Sequence, residues 1–379
     1  MLRTILGLLI GAGLIISVLS SDEDSPIKLA DEHVSSKLIT PPQIPPNTQV
    51  VEPVVVFKEN LPVKTAKRGD SYIAECDKKI KSANLNKSDT DDILNSPERL
   101  TLALAESDQM ESQIAHALTI NTDSASESNE RLKALAREYP ANKLLSFDLL
   151  LSCTLAGGHC ERELIDNAVA LDNQNGAVWF LMATLELKNN NAELAVEALL
   201  EAARAPVYQT YWTEHFAMFE QAFSQIGAAQ KIDVQSAAMG VMAAKVMPNY
   251  GPVIKFCRAA ELDRAEVLDA CLEMGQQLAI QKSTMLNHII GIALQEAIYK
   301  KLQDDGKVAE LVEARKAFDE SRKLSTKAMA LVFNNKQRMS NWLTELKDSG
   351  EFSADEYIIN EAIRLSADPD FDPCKVDWD

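Results

Sequence analysis

Six cysteines and five histidines are the residues of this 379-residue chain best suited to hold a metal, form disulfides or attack a substrate. Their spacing decides between those uses. Cys153, His159 and Cys160 form the tightest cluster, but zinc wants about four ligands, usually at CxxC-type spacing, and no second cluster follows. No metal and no cofactor is therefore expected. His215, in Thr-Glu-His-Phe, and His288, in Leu-Asn-His-Ile, read as packed or surface histidines rather than catalysts. A nucleophile elbow GxSxG, an HExxH pair, a phosphate-cradling glycine loop and the kinase motifs are all missing from the sequence. No catalytic residue is assigned, and a non-enzymatic protein is expected.

The remaining use is disulfide chemistry, which depends on compartment. Residues Met1 to Ser21 open with Arg3, continue as an apolar run from Ile5 to Leu19, and meet Asp22, Glu23 and Asp24. Positive charge before an apolar run and acid after it orients the N-terminus inside and sends the rest across a membrane. Counted over residues 2–20, with Arg3 snorkelling, the run just reaches the roughly 17–25 residues of a spanning helix. Both an uncleaved anchor and a cleaved signal peptide fit residues 1–21. The even cysteine count then reads as disulfides in an oxidising compartment, in the envelope of a bacterium.

Net charge is −18, from 38 Lys and Arg against 56 Asp and Glu. That balance excludes a nucleic-acid binder, which needs a basic face, and docking on anionic lipid by charge. It favours either a basic partner or simple solubility.

Residues 22–75 carry Pro41, Pro42, Pro45, Pro46, Pro53 and Pro62, too dense for a helix, and are expected to be a largely disordered tether. From about residue 76 to 367 the texture changes to helix formers with a 3.6-residue period, and an all-α body is expected. Residues 368–379, with Pro369 and Pro373, are read as a non-helical tail. Gly176–Lys188, the turn Asn189-Asn190-Asn191 and Ala192–Arg204 make one αα-hairpin. Further segments are Leu164–Leu171, Arg264–Ile280, Thr284–Leu302 and a charged Lys307–Ser325, with Ser353 and Glu356 as a capping box for a last helix.

The hairpin repeats. From Gly176, positions four, eight, twenty, twenty-four and twenty-seven are Trp179, Ala183, Ala195, Leu199 and Ala202. Steps of 34 residues start further units at Asp108, Asn142 and Thr210, with Ala115, Leu149 and Ala217 at position eight. Small residues at eight and twenty let paired helices touch, and large ones fill the groove to the next pair. This stretch, clearest over 108–209, resembles the tetratricopeptide repeat (TPR) family, without its glycine at eight and with Glu186 where a tyrosine is usual. The resemblance implies a solenoid of hairpins that binds a protein or peptide on its concave surface. By repeat position that surface would include His116, Ser152, Thr184 and Lys188.

Cys153 and Cys160 flank the turn Gly157-Gly158-His159 and are expected to pair; Cys257 and Cys271 sit on opposite arms of another hairpin. Cys76 and Cys374 pair by elimination. The combined expectation is a binding or scaffolding protein of the cell envelope, held at the inner membrane by residues 2–20, with a cell-wall-active enzyme or a secreted spacer as alternatives.

Overall fold

The computed structural model describes residues 97–371, except 120–124, 156–159, 228–230, 246, 282–283, 334 and 369. The leader, the tether, Cys76 and Cys374 lie outside the described residues. Among the described residues there are fifteen helices and no strand, so the body is all-α as the periodicity requires.

The helices are α1 (Pro97–Glu106), α2 (Met110–Thr119), α3 (Ala125–Glu138), α4 (Lys143–Leu155), α5 (Arg162–Leu171), α6 (Gly176–Lys188), α7 (Ala192–Arg204) and α8 (Trp212–Gln225). They continue as α9 (Lys231–Ala244), α10 (Gly251–Ala259), α11 (Ala265–Ile280), α12 (Met285–Lys301), α13 (Asp305–Phe333), α14 (Lys336–Ser349) and α15 (Glu351–Ser366). Side-chain caps fix several starts. Asn142, Asn175, Thr284 and Asn335 each accept a backbone N–H from the first turn of the helix they precede. Gly350, at φ 85°, ends α14 in the left-handed region and launches α15 one residue later. The expected capping box at Ser353 and Glu356 is therefore misplaced: both residues lie inside α15. The charged segment read as 307–325 runs on to Phe333, because Ala328, Leu331 and Val332 continue a buried face.

Packing follows the hairpin order only in part. Helix α4 packs on α6, α6 on α10, and α10 on α12, while α7 packs on α11. Along this row α11 and α12 approach closely, since a Cβ on Gly291 would collide with the backbone of Ala279 and Gly275. Both expected local disulfides are formed here: Cys153–Cys160 closes α4 to the start of α5, and Cys257–Cys271 joins α10 to α11, each with Cα atoms 5.7 Å apart. The α8–α9 hairpin leaves the row and packs on α2 and α14 instead.

The departure begins right after α7. Ala205 is extended, and residues 205–211 run back along the entrance to α6: Gly176 N donates to Val207 O (2.7 Å), and Gln209 N donates to Asn175 Oδ1 (2.8 Å). Tyr211, at φ 57°, then turns the chain into α8. Register breaks at the same place. Ala115, Leu149 and Ala183 are buried as position eight demands, but Ala217 is exposed, and Phe216, Phe219 and Phe223 carry the packing of α8.

Two hydrophobic cores result. One gathers α1–α3, α8, α9, α14, α15 and the end of α13; the other gathers α5–α7 and α10–α12. Helix α4 serves both, giving Leu145 and Leu149 to the first and Phe147, Leu150 and Leu151 to the second.

Ala183 has no exposed surface. Ala183→Trp is expected to destabilise the protein by about 1–3 kcal/mol or more through overpacking, whereas exposed Ala217→Trp stays within about 0.5 kcal/mol of wild type. Chemical denaturation of the two variants checks this, and equal losses would contradict the observed register.

Candidate functional site

The residues chosen by repeat position do not line one open face. Thr184 is fully buried and donates to Phe180 O within its own helix (3.0 Å). His116 is buried, with no hydrogen-bond partner at Nδ1, and burial and the neighbouring Arg131 hold its imidazole below the usual range. Ser152 donates to Asn129 Oδ1 on α3 (3.2 Å). Lys188 is half-buried at the end of α6, and partial burial pushes its ammonium down. Neighbouring helices cover the surface that the repeat pattern alone leaves open, so His116 and Thr184 are corrected to interior residues.

The densest polar cluster lies elsewhere, at the seam between the two cores. Asp148 sits midway along α4, between Phe147 and Leu149, where every residue from Leu145 to Leu151 is buried. A charge there needs a partner. His215, on the first turn of α8, brings Nε2 to 2.7 Å from Asp148 Oδ2. Lys245, just past the end of α9, donates from Nζ to Asp148 Oδ1 at 2.7 Å and stands 2.6 Å from His215 Nε2. The other imidazole nitrogen, Nδ1, lies 2.5 Å from Tyr211 O. A carbonyl oxygen can only accept, so Nδ1 carries the hydrogen.

The electrostatics are those of a closed cluster. Burial alone would push the Asp148 carboxyl up, but His215 and Lys245 outweigh it and hold Asp148 below the usual carboxylate range. Burial pushes the His215 imidazole down, and Asp148 offsets that only in part. The Lys245 ammonium is lowered for the same reason. The side chains of His215 and Asp148 are 0% and 1% exposed, and that of Lys245 is 11% exposed. Acid, base and amine thus meet in proton-transfer geometry, yet the carboxylate and imidazole present no surface to a substrate. The cluster works as an ionic joint between α4, α8 and α9.

A second network abuts it. Asp172, after α5, accepts from Lys143 Nζ (2.9 Å), Asn175 Nδ2 (2.8 Å) and the Tyr211 hydroxyl (2.6 Å). Burial and the bond to Asp172 push the Tyr211 phenol well up. Tyr211 therefore touches both networks, through its hydroxyl and its carbonyl.

A third polar site binds the last helix. Glu351 accepts the N–H of Met285 at the start of α12 (2.6 Å). Burial raises the carboxyl of Glu351 and that of Asp355 one turn on. The His288 ring packs tilted against Phe318 and edge-on to Phe352, with centroids 5.2 and 5.5 Å away. No group of three or more His, Cys, Asp or Glu side chains placed to hold a metal occurs among the described residues. No helix there is long and apolar enough to cross a membrane.

Sequence reasoning missed Asp148 and Lys245. The available signal was a lone acid inside the apolar run Leu-Leu-Ser-Phe-Asp-Leu-Leu-Leu, which a helix buried all round can hold only by pairing. No protein-family model, curated protein or solved structure matches this chain.

Asp148→Asn strands Lys245 and His215 beside a neutral amide and is expected to cost about 3–5 kcal/mol. The triple replacement Asp148→Leu, His215→Phe, Lys245→Met is expected to cost less than the single one, as removing all the charges removes their desolvation penalty. Urea titrations decide, and a triple variant weaker than Asp148→Asn would contradict the ionic-joint reading. Glu351 gives a pH test of opposite sign. A carboxyl raised in the folded state contributes its stability below the unfolded pKa and loses it as pH rises through the folded pKa. Glu351→Gln is therefore expected to gain stability relative to wild type between pH 4 and pH 7.5, read from melting temperatures at both.

Proposed function

We propose that the protein is a non-enzymatic binding or scaffolding component of the bacterial cell envelope, anchored by residues 2–20, with its TPR-like helical body facing the periplasm. The observations that support this reading are the packing of α4 on α6, α6 on α10 and α7 on α11, together with the two local disulfides Cys153–Cys160 and Cys257–Cys271. Stacked hairpins give a long, stiff surface suited to peptides or partner helices. Disulfides of this kind belong to oxidising compartments, which agrees with the leader read at residues 1–21.

The partner chemistry follows from charge. Helices α7 and α11 pack side by side, and their exposed positions include Glu193, Glu197 and Glu201 on one and Glu266, Asp269 and Glu273 on the other. Exposed acidic stripes of this kind attract a basic segment, and attraction of this type weakens with salt. Both stripes follow helical spacing on the solvent side of the row, so they are available without rearrangement.

A reporter active only in the periplasm, fused after Asp379, is expected to be active. Protein isolated from detergent-solubilised membranes after in-cell crosslinking is expected to carry one envelope partner. The joint substitution of Glu197, Glu201, Asp269 and Glu273 by Lys should abolish that capture with an unchanged melting temperature. Reporter activity confined to the cytoplasm, or capture indifferent to the four substitutions, overturns the reading.

A further inference from the structure

The Asp148–His215–Lys245 cluster holds one proton fewer than its two bases could carry. His215 Nδ1 already bears its hydrogen, against Tyr211 O. Two nitrogens 2.6 Å apart, as Nε2 and Nζ are, share one hydrogen between them and cannot both be full cations at that distance. With the proton on His215, Nε2–H donates to Asp148 Oδ2 and Lys245 is a neutral amine; with it on Lys245, Nε2 turns only a lone pair to that oxygen. In either form one cation faces one carboxylate. A further proton gives two adjacent cations and a net buried charge of one.

The groups within hydrogen-bond reach of the imidazole are Asp148 from α4, Lys245 from the end of α9, and the Tyr211 carbonyl at the start of α8. The Tyr211 phenol is directed away, to Asp172, itself neutralised by Lys143. The second cation therefore has no second carboxylate to meet. One of the two must leave, and the structure distinguishes them. His215 is sealed and pinned at Nδ1, whereas Lys245 lies beyond the last turn of α9 on a flexible stem that already reaches water.

We propose that this cluster is a proton-driven exchange joint, in which acidification lets His215 take Asp148 alone, expels Lys245 to solvent and loosens the end of α9 from α4. The effect is local. One linked proton changes an equilibrium by at most about tenfold per pH unit, too little to undock a hairpin that buries Phe216, Phe219 and Phe223 completely. The joint opens at the seam between the two cores while both cores persist. Acid therefore adjusts how firmly the α8–α9 hairpin couples the disulfide-closed row to the rest of the body. This inference does not depend on the partner or the location proposed above.

Hydrogen exchange on the full-length protein at pH 7.5 and 5.5, corrected for intrinsic rates, tests it. Peptides covering 211–216 and 239–245 are expected to lose protection about tenfold or more at pH 5.5, while those covering 219–225 and α6–α7 are unchanged. In Lys245→Met no second cation exists, and the difference should vanish. Side-chain 15N spectra of the wild type give an independent reading: the His215–Lys245 pair should take up one proton over the same pH range, seen as His215 passing to full imidazolium or as Lys245 Nζ passing from amine to ammonium. The proposal is overturned if the wild type is equally protected at both pH values, if protection falls uniformly, if Lys245→Met keeps the full difference, or if neither the His215 nor the Lys245 side-chain signals move.

Discussion

A carboxylate placed in the middle of a helix buried on every side has to be answered where it stands. Asp148 occupies that position on α4, and much of the tertiary arrangement can be read as the means of answering it. A small solenoid could leave such a residue on its open face. Here α4 lies between two cores, so the counter-charges must be delivered by other elements. The α8–α9 hairpin delivers both, His215 from its beginning and Lys245 from its end. Burial makes the arrangement specific as well as costly, since any other docking of the hairpin leaves a charge unpaired.

The route of the chain into that hairpin is equally constrained. Residues 205–211 are held along the mouth of α6 by Asn175, whose side chain both caps α6 and brackets Gln209. Tyr211 closes the device, with its hydroxyl on Asp172, its carbonyl on His215 and its ring 5.4 Å from that of Phe147. A left-handed backbone at a tyrosine is uncommon, and here three separate interactions hold it. The seam is thus fixed by a continuous set of polar bonds, and the two apolar cores pack on either side of it.

Much of the secondary structure was legible in the sequence because it rests on local signals. The turn at Asn189-Asn190-Asn191, the prolines between helices and the spacing of Cys153 from Cys160 act over a few residues, and the observed hairpins and both local disulfides follow them. Position eight was readable through Ala115, Leu149 and Ala183 and failed at Ala217, where the repeat rule assumes that the next hairpin stacks on the last. Nothing within the segment Thr210–Ala244 announces that it packs on α2 and α14 instead. Asp148 and Lys245 stand 97 residues apart, and a pairing over that separation leaves no periodic trace. His116 and Thr184, taken from repeat position as surface residues, suffered from the same gap, because what covers a helix comes from elsewhere in the chain.

The span of these connections also sets an order of assembly. The two disulfides join cysteines 7 and 14 residues apart, so each ring can close almost as soon as its second cysteine is available. The bonds Ser112–Gln225 and Lys347–Glu220 instead bridge 113 and 127 residues, and the second cannot form before α14 exists. Short loops close quickly and distant pairings late. A chain emerging from its N-terminus would therefore hold its two disulfide-closed segments for some time before α14 arrived to pack on α8 and α9. During that interval the faces of α8 and α9 that α14 goes on to bury would be the surface most in need of shielding from self-association.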